Sequence, residues 1–344
     1  MLSGSFAPLT WNERDPSHDT QRRRLGNEFD QLCAQARAIP GYENFLKPVS
    51  IRQRLKEIAL NGPVVILFSA LNCSYAIIVQ LDHDGDVKFT RICCIYDGDG
   101  SSKVGECCSD YVVSSYTPTI GALISSKKTC EAIARTDLKV LLAAVPVPFK
   151  GARLRGTVSE VEQISQLLSE EERMALPPED DTLLDPQAGA TVNTILDNLR
   201  DANIFHLASH GTQIPDSPLD SGFIMRDSKL TISSLMQLPQ PKGFLAFLSA
   251  CETAKGDKAQ SNEAMHLAAT MLFVGFKSVI GTMWFMTDED GPHVAKHVYT
   301  QLLAPKDGYL DPEAVPYALD EAVRALREKG LPPERWSLFI HFGI

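Results

Sequence analysis

The spacing of apolar positions changes along the chain, and each change marks an element. From 19 to 38 the apolar residues Leu25, Phe29, Leu32, Cys33, Ala36 and, just beyond, Ile39 recur at helical spacing, and Pro40-Gly41 closes the segment. A second amphipathic pattern covers 50–60 and stops at Asn61-Gly62-Pro63. Between about 60 and 130 the signals are those of strands and hairpins, with Asp82-His83-Asp84-Gly85-Asp86 as turn chemistry between two β-rich runs. Thereafter strands and helices alternate. The run 138–145 is a wholly apolar strand ended by Pro146 and Pro148, and Thr157-Val158-Ser159-Glu160 has the form of a capping box opening a helix. A short strand is expected at 182–184, a helix at 191–199 and strands at 203–208, 243–248 and 277–283. Ser261 or Asn262 can cap a helix that ends at Gly275. The acidic, Pro-broken stretch 170–178 reads as a surface loop.

This alternation predicts an α/β fold with a mainly parallel sheet covered by helices. The expected organisation is a disordered arm at 1–18, a helical segment at 19–61 and one domain at 62–344. Within that domain a hairpin-rich N-terminal lobe takes 62–135 and a second lobe takes 136–344, the two sharing one continuous sheet.

Composition narrows the function classes. The 344 residues carry a formal charge of −10, and no segment concentrates basic residues beyond Arg22-Arg23-Arg24, so no nucleic-acid partner is expected. The longest apolar tract, 64–79, is broken by Ser69, Asn72, Cys73 and Ser74 and is too short to span a bilayer, so no membrane association is expected either. Pro8, Asn12, Asp15 and Pro16 interrupt any apolar run at the start, which argues against a signal peptide. The eight cysteines then read as free thiols, and a cytoplasmic protein is the expectation.

The chemistry concentrates in His206-Leu207-Ala208-Ser209-His210-Gly211 and Ser249-Ala250-Cys251-Glu252-Thr253, each following an apolar run of strand character. Loops leaving the carboxyl ends of parallel strands form the usual site of such sheets. A histidine and a cysteine there can act as base and thiol nucleophile if their strands are neighbours. The histidine lies about 40 residues before the cysteine, near the roughly 50 of caspases.

These two motifs, their order and their strand context resemble the CHAT domain of the caspase–separase group of cysteine peptidases. The likeness extends over roughly residues 60–344. Pro63-Val64-Val65-Ile66-Leu67 with Tyr75-Ala76-Ile77-Ile78-Val79 resembles that domain's opening hairpin, and Leu219-Asp220-Ser221-Gly222-Phe223-Ile224-Met225 its segment after the histidine. Ser278-Val279-Ile280-Gly281-Thr282-Met283-Trp284, followed by Asp288, resembles the strand and turn after the cysteine, and Trp336-Ser337-Leu338-Phe339-Ile340-His341-Phe342-Gly343 the last strand.

The resemblance implies a caspase-like fold and a cysteine endopeptidase making limited cuts in protein or peptide substrates, in cell-death or defence signalling. No cofactor is implied. His210 and Cys251 are the expected catalytic pair, with the N–H groups of Gly211 and Cys251 as oxyanion donors. Ser209, Asp220 and Ser249 match positions near the cleft, as orienting residues. Trp284 and Asp288 could wall the pocket for the residue before the scissile bond, although Asp288-Glu289-Asp290 reads better as an acidic cluster at a helix N-terminus. Relatives also imply a helical-repeat regulator, of which 19–61 would be a remnant or edge, and gating loops at 212–218 and 254–262.

Other readings fare less well. His206 and His210 could ligate a metal only on a helix, and this segment reads as strand, so His206 is taken as a supporting core residue. Adjacent cysteines at 93–94 and 107–108 point to opposite faces of a strand, and zinc knuckles space their ligands wider, so no metal site is expected. The chain has no P-loop, dinucleotide fingerprint, H-E-x-x-H or G-x-S-x-G motif. The alternative from a different class is a catalytically silent module that keeps the fold and binds protein partners.

Overall fold

The structure is a computed structural model that describes residues 16–40, 42, 45, 51–60, 62–70, 73–94, 110, 112–117, 119, 120–128, 131–176, 189–212, 214, 217–238, 243–252, 264–284, 286–287, 289–304 and 308–344. The chain divides into two compact units, Met1–Ile95 and Tyr96–Ile344.

The first unit holds helices α1 (Pro16–Arg37) and α2 (Ile51–Ala59) and strands β1 (Val64–Ala70), β2 (Cys73–Leu81) and β3 (Val87–Cys94). The three strands form an antiparallel meander, with Val64 opposite Val79 and Gln80 opposite Lys88. The second connection turns at Gly85, whose positive φ suits glycine, with Asp82 Oδ1 accepting from the Asp84 and Asp86 N–H groups. Leu55 and Ile58 of α2 are buried, as the periodicity required. The α1 helix also forms where expected, but of its apolar stripe only Cys33 is buried, while Leu25, Phe29 and Leu32 stay exposed.

The second unit contains helices α3 (Ile120–Lys128), α4 (Gly156–Ser165), α5 (Val192–Leu199), α6 (Ile232–Met236), α7 (Ala264–Val274), α8 (Asp290–Leu302), α9 (Val315–Glu328) and α10 (Pro333–Trp336). Its strands are β4 (Ile133–Ala134), β5 (Val140–Ala144), β6 (Arg173–Leu176), β7 (Ile204–Thr212), β8 (Gly222–Ile224), β9 (Lys229–Thr231), β10 (Leu245–Glu252), β11 (Ser278–Thr282), β12 (Tyr309–Leu310) and β13 (Phe339–Gly343). The main sheet has the order β13-β11-β10-β7-β5-β6, parallel except for β13. β4 and β12 pair separately. The fold is therefore α/β with a mainly parallel sheet flanked by helices, as the alternation predicted.

Burial explains why the central strands read as unbroken apolar runs. Alternate residues of β5, β7 and β10 enter two different cores. Leu142, Ile204 and Phe247 meet α4, α8 and α9 on one face, whereas Leu141, Phe205 and Ala246 meet α5, α6 and α7 on the other. α5 opens with a reciprocal capping box between Thr191 and Thr194.

Among the described residues the strand pairs form a three-stranded, an eight-stranded and a two-stranded sheet. Two expectations need correction. The stretch 170–178 is not all loop, since Arg173–Leu176 pairs in parallel with Val140–Ala143 as an edge strand. Glu160 is not a capping residue, because α4 starts at Gly156 and the Thr157 hydroxyl turns back to the Leu154 carbonyl at 2.9 Å. The expectations for 1–15, 182–184, the caps at 261–262, Cys107, Cys108 and the loop 254–262 lie outside the described residues.

Candidate active site at the ends of two parallel strands

β7 and β10 are parallel neighbours, and their register sets His206 opposite Phe247, Ser209 opposite Ala250 and His210 opposite Cys251. Matched positions on neighbouring strands project side chains to the same face. Both strands run further than their apolar pattern suggested, through the motifs to Thr212 and Glu252. The reason is a substitution of partners. β5 stops pairing at Ala144, opposite Ala208, and β8 then takes over the same edge, antiparallel, from His210 to Thr212. The backbone of His210 is thus held on both sides.

The His210 ring is 4% exposed, and its Nε2 lies 2.8 Å from the Ala152 carbonyl oxygen. A carbonyl only accepts, so the imidazole donates there; in the neutral ring this leaves the lone pair on Nδ1. Nδ1 is buried and has no hydrogen-bond partner among the described residues. The carbonyl comes from the loop after β5. Phe149 N–H donates to Met225 O and Leu154 N–H to Pro146 O, which pin the loop at both ends. Gly151 has φ +113°, a conformation that favours glycine. Neither Gly151 nor the Ala152 carbonyl was foreseen from the sequence, since neither has side-chain chemistry. Pro146 and Pro148 were the only local signal, and they read as a strand end.

His206 lies on the same face of β7 as His210, four residues earlier and so roughly 13 Å away along a strand. That separation keeps the two from sharing a metal, and among the described residues no group of three or more His, Cys, Asp or Glu could hold one. His206 belongs instead to a buried polar cluster. Its Nδ1 is 3.3 Å from the Tyr299 hydroxyl, and its Nε2 is 3.2 Å from Glu160 Oε1, at ion-pair distance but off hydrogen-bond angle. Ser249 donates to Glu160 Oε2 at 2.9 Å. Phe247 lies against the imidazole at 4.8 Å between ring centroids. Burial, and secondarily the negative charge of Glu160, push the Tyr299 hydroxyl well above its ordinary pKa. Glu160 escaped the sequence reading because T-V-S-E fits a cap so well.

The remaining predicted residues are more scattered. Ser209 is buried on the opposite face of β7, with its hydroxyl 3.4 Å from the His210 carbonyl. Gly211 stands in register with Phe223 on one side and Glu252 on the other. Asp220 is exposed, and its carboxylate accepts from Ser217 within its own turn. Trp284 is 38% exposed and donates its indole N–H to the Glu334 carbonyl. Asp288 lies outside the described residues. Of its acidic neighbours, Asp290 opens α8 and is gripped through both oxygens by Arg335, at 2.6 and 2.8 Å, while Glu289 makes no side-chain cap.

A family model described as CHAT domain matches residues 54–344. No curated protein matches the sequence. Among solved structures, the chain is similar to a complex of Porphyromonas gingivalis RgpB pro- and mature domains, at 12% identity and a TM-score of 0.42, covering 65% of this chain and 52% of that one. It is also similar to the Arg-specific cysteine proteinase gingipain R, at 13% identity and TM-score 0.43, covering 65% and 51%. A third similarity is to the Saccharomyces cerevisiae separase–securin complex, at 15% identity and TM-score 0.44, covering 67% of this chain but 13% of that one. The matched region thus spans about half of the two gingipain chains.

Proposed function

The chain belongs to the CHAT domain family over residues 54–344, and from that premise we propose that it is a cysteine endopeptidase with His210 and Cys251 as its catalytic pair. One observation carries the reading: neighbouring parallel strands set His210 opposite Cys251, and the Ala152 carbonyl turns the His210 ring so that Nδ1 keeps its lone pair.

The chemistry follows from that arrangement. His210 Nδ1 takes the thiol proton of Cys251, giving a thiolate and an imidazolium that goes on donating to Ala152 through Nε2. The thiolate attacks the peptide carbonyl carbon. Negative charge gathers on the carbonyl oxygen, where the N–H groups of Gly211 and Cys251 receive it. The imidazolium then protonates the leaving amine, the C–N bond breaks, and a thioester remains. His210 next draws a proton from water, the hydroxide displaces sulfur, and the acid product leaves with the thiol restored.

Limited cleavage of protein substrates, in signalling of the cell-death or defence kind and under a helical regulator, is the biological role proposed with it. The test is a peptide-library digest read by mass spectrometry, with wild type, Cys251→Ala and His210→Ala side by side. Cuts made by wild type and absent from both variants support the reading. The same cuts from Cys251→Ala would overturn it.

A further inference from the structure

We propose that Glu160 is a positioning residue of the His210–Cys251 pair: its carboxylate fixes the loop that holds His210 against the two strands that carry the pair. This rests on the peptidase reading above, and the experiment below separates the failure of one from the failure of the other.

The starting point is a polar cluster where apolar packing would have served. Glu160 is 2% exposed, Ser249 4%, and His206 and Tyr299 0%, among Leu142, Ile204, Phe247 and Ile280 on the same face of the sheet. Exchanging such a buried charged group for apolar side chains often leaves stability unchanged or improved, so stability alone does not account for it. What the carboxylate touches does. Oε2 accepts from Ser249, two residues before Cys251 on β10, and Oε1 faces His206, four residues before His210 on β7. One side chain is therefore hydrogen-bonded to the strand of Cys251 and packed at 3.2 Å against the strand of His210.

The third tie is through the backbone. Glu160 stands in the second turn of α4, which starts at Gly156, directly after the loop that supplies the Ala152 carbonyl. The Thr157 hydroxyl donates to Leu154 O, and Leu154 N–H to Pro146 O, so loop and helix move together. Holding Glu160 thus holds Ala152 relative to β7 and β10, and Ala152 holds the ring. The α8 side leaves no slack. A β-carbon at Gly291 would come 2.9 Å from Glu160 Oε2 and 3.1 Å from Ser249 Oγ, and Tyr299 closes on His206 from the same helix. His206 is thereby held between the Tyr299 hydroxyl, 3.3 Å from its Nδ1, and Glu160 Oε1, 3.2 Å from its Nε2.

The test uses the intact protein and needs no known substrate. Alkylation of Cys251 by iodoacetamide is followed against pH, by peptide-resolved mass spectrometry, in wild type, His210→Ala, Glu160→Ala, Glu160→Gln and Ser249→Ala, each checked for native circular dichroism. Glu160→Ala is expected to lose about tenfold in rate at pH 6, with its midpoint moved up by about one pH unit towards that of His210→Ala. Glu160→Gln keeps the shape and an acceptor for Ser249, and is expected to stay within about threefold of wild type. Ser249→Ala is expected to fall between them, and decides the matter should Glu160→Ala not fold. A wild-type profile in folded Glu160→Ala, or in Ser249→Ala in its stead, overturns the proposal. So does a Glu160→Gln variant as impaired as the alanine, because the carboxylate would then act by its charge. If wild type and His210→Ala share one profile, the catalytic pair itself falls and the proposal with it.

Discussion

Gly151 occupies backbone at φ +113°, and a β-carbon there would come 3.3 Å from Cδ2 of His210. Gly151→Ala is therefore expected to strain the loop by about 1 kcal/mol and to displace the ring, lowering kcat/KM by about tenfold or more. Steady-state kinetics beside a thermal melt check both effects, and unchanged kinetics would show that the loop does not govern the ring. His341 gives a prediction of a different kind. It is buried against Ser115, its Nδ1 2.7 Å from the hydroxyl, and burial lowers its pKa to about 3. Above pH 6.5 neither the folded nor the unfolded chain protonates it; below that the unfolded chain does and the folded one resists until about pH 3. Stability is thus lost as pH falls through this window, by about 2 kcal/mol at pH 5. His341→Asn, which keeps a polar atom for Ser115, is expected to flatten this limb in denaturant titrations at pH 7 and pH 5. Both residues show what single letters hide. A glycine's backbone angle and a histidine's burial are properties of the fold, whereas His210 and Cys251 could be proposed from residue type and context alone.

At the scale of elements, the strands that carry the pair were legible because both faces of each are buried, which leaves unbroken apolar runs in the sequence. Their ends were not. The pattern turns polar at Ser209 and Ser249, yet both strands continue, because β8 pairs with β7 exactly where β5 gives out and because Glu160 receives the Ser249 hydroxyl inside the core. The edge strand β6 was missed for a related reason, since acidic neighbours masked four residues that one side of β5 was waiting to pair. The β8–β9 hairpin makes a sharp test. A β-carbon at Gly222 would sit 2.0 Å from the Leu230 carbonyl oxygen, so Gly222→Ala must separate the two strands. The expected cost is about 1–3 kcal/mol, with faster amide exchange at 210–212, where β8 covers β7. Unchanged exchange there would show that the hairpin does not hold the His210 end of β7.

For the whole molecule, the turn from hairpin signals to strand–helix alternation corresponds to an antiparallel meander in the first unit and a mainly parallel sheet in the second. Pairing between strands distant in the chain depends on which edges meet, and periodicity reports only which faces are apolar. Family membership rests on 54–344, while the site rests on a few residues of β7, β10 and the loop before α4. The most direct measurement of the central claim is therefore chemical. The intact protein is treated with a peptidyl acyloxymethyl ketone, and all eight cysteines are followed by mass spectrometry in wild type and His210→Ala. The account expects stoichiometric labelling of Cys251 alone in wild type and almost none in His210→Ala. Label spread over several cysteines, or equal labelling of Cys251 without His210, would contradict it.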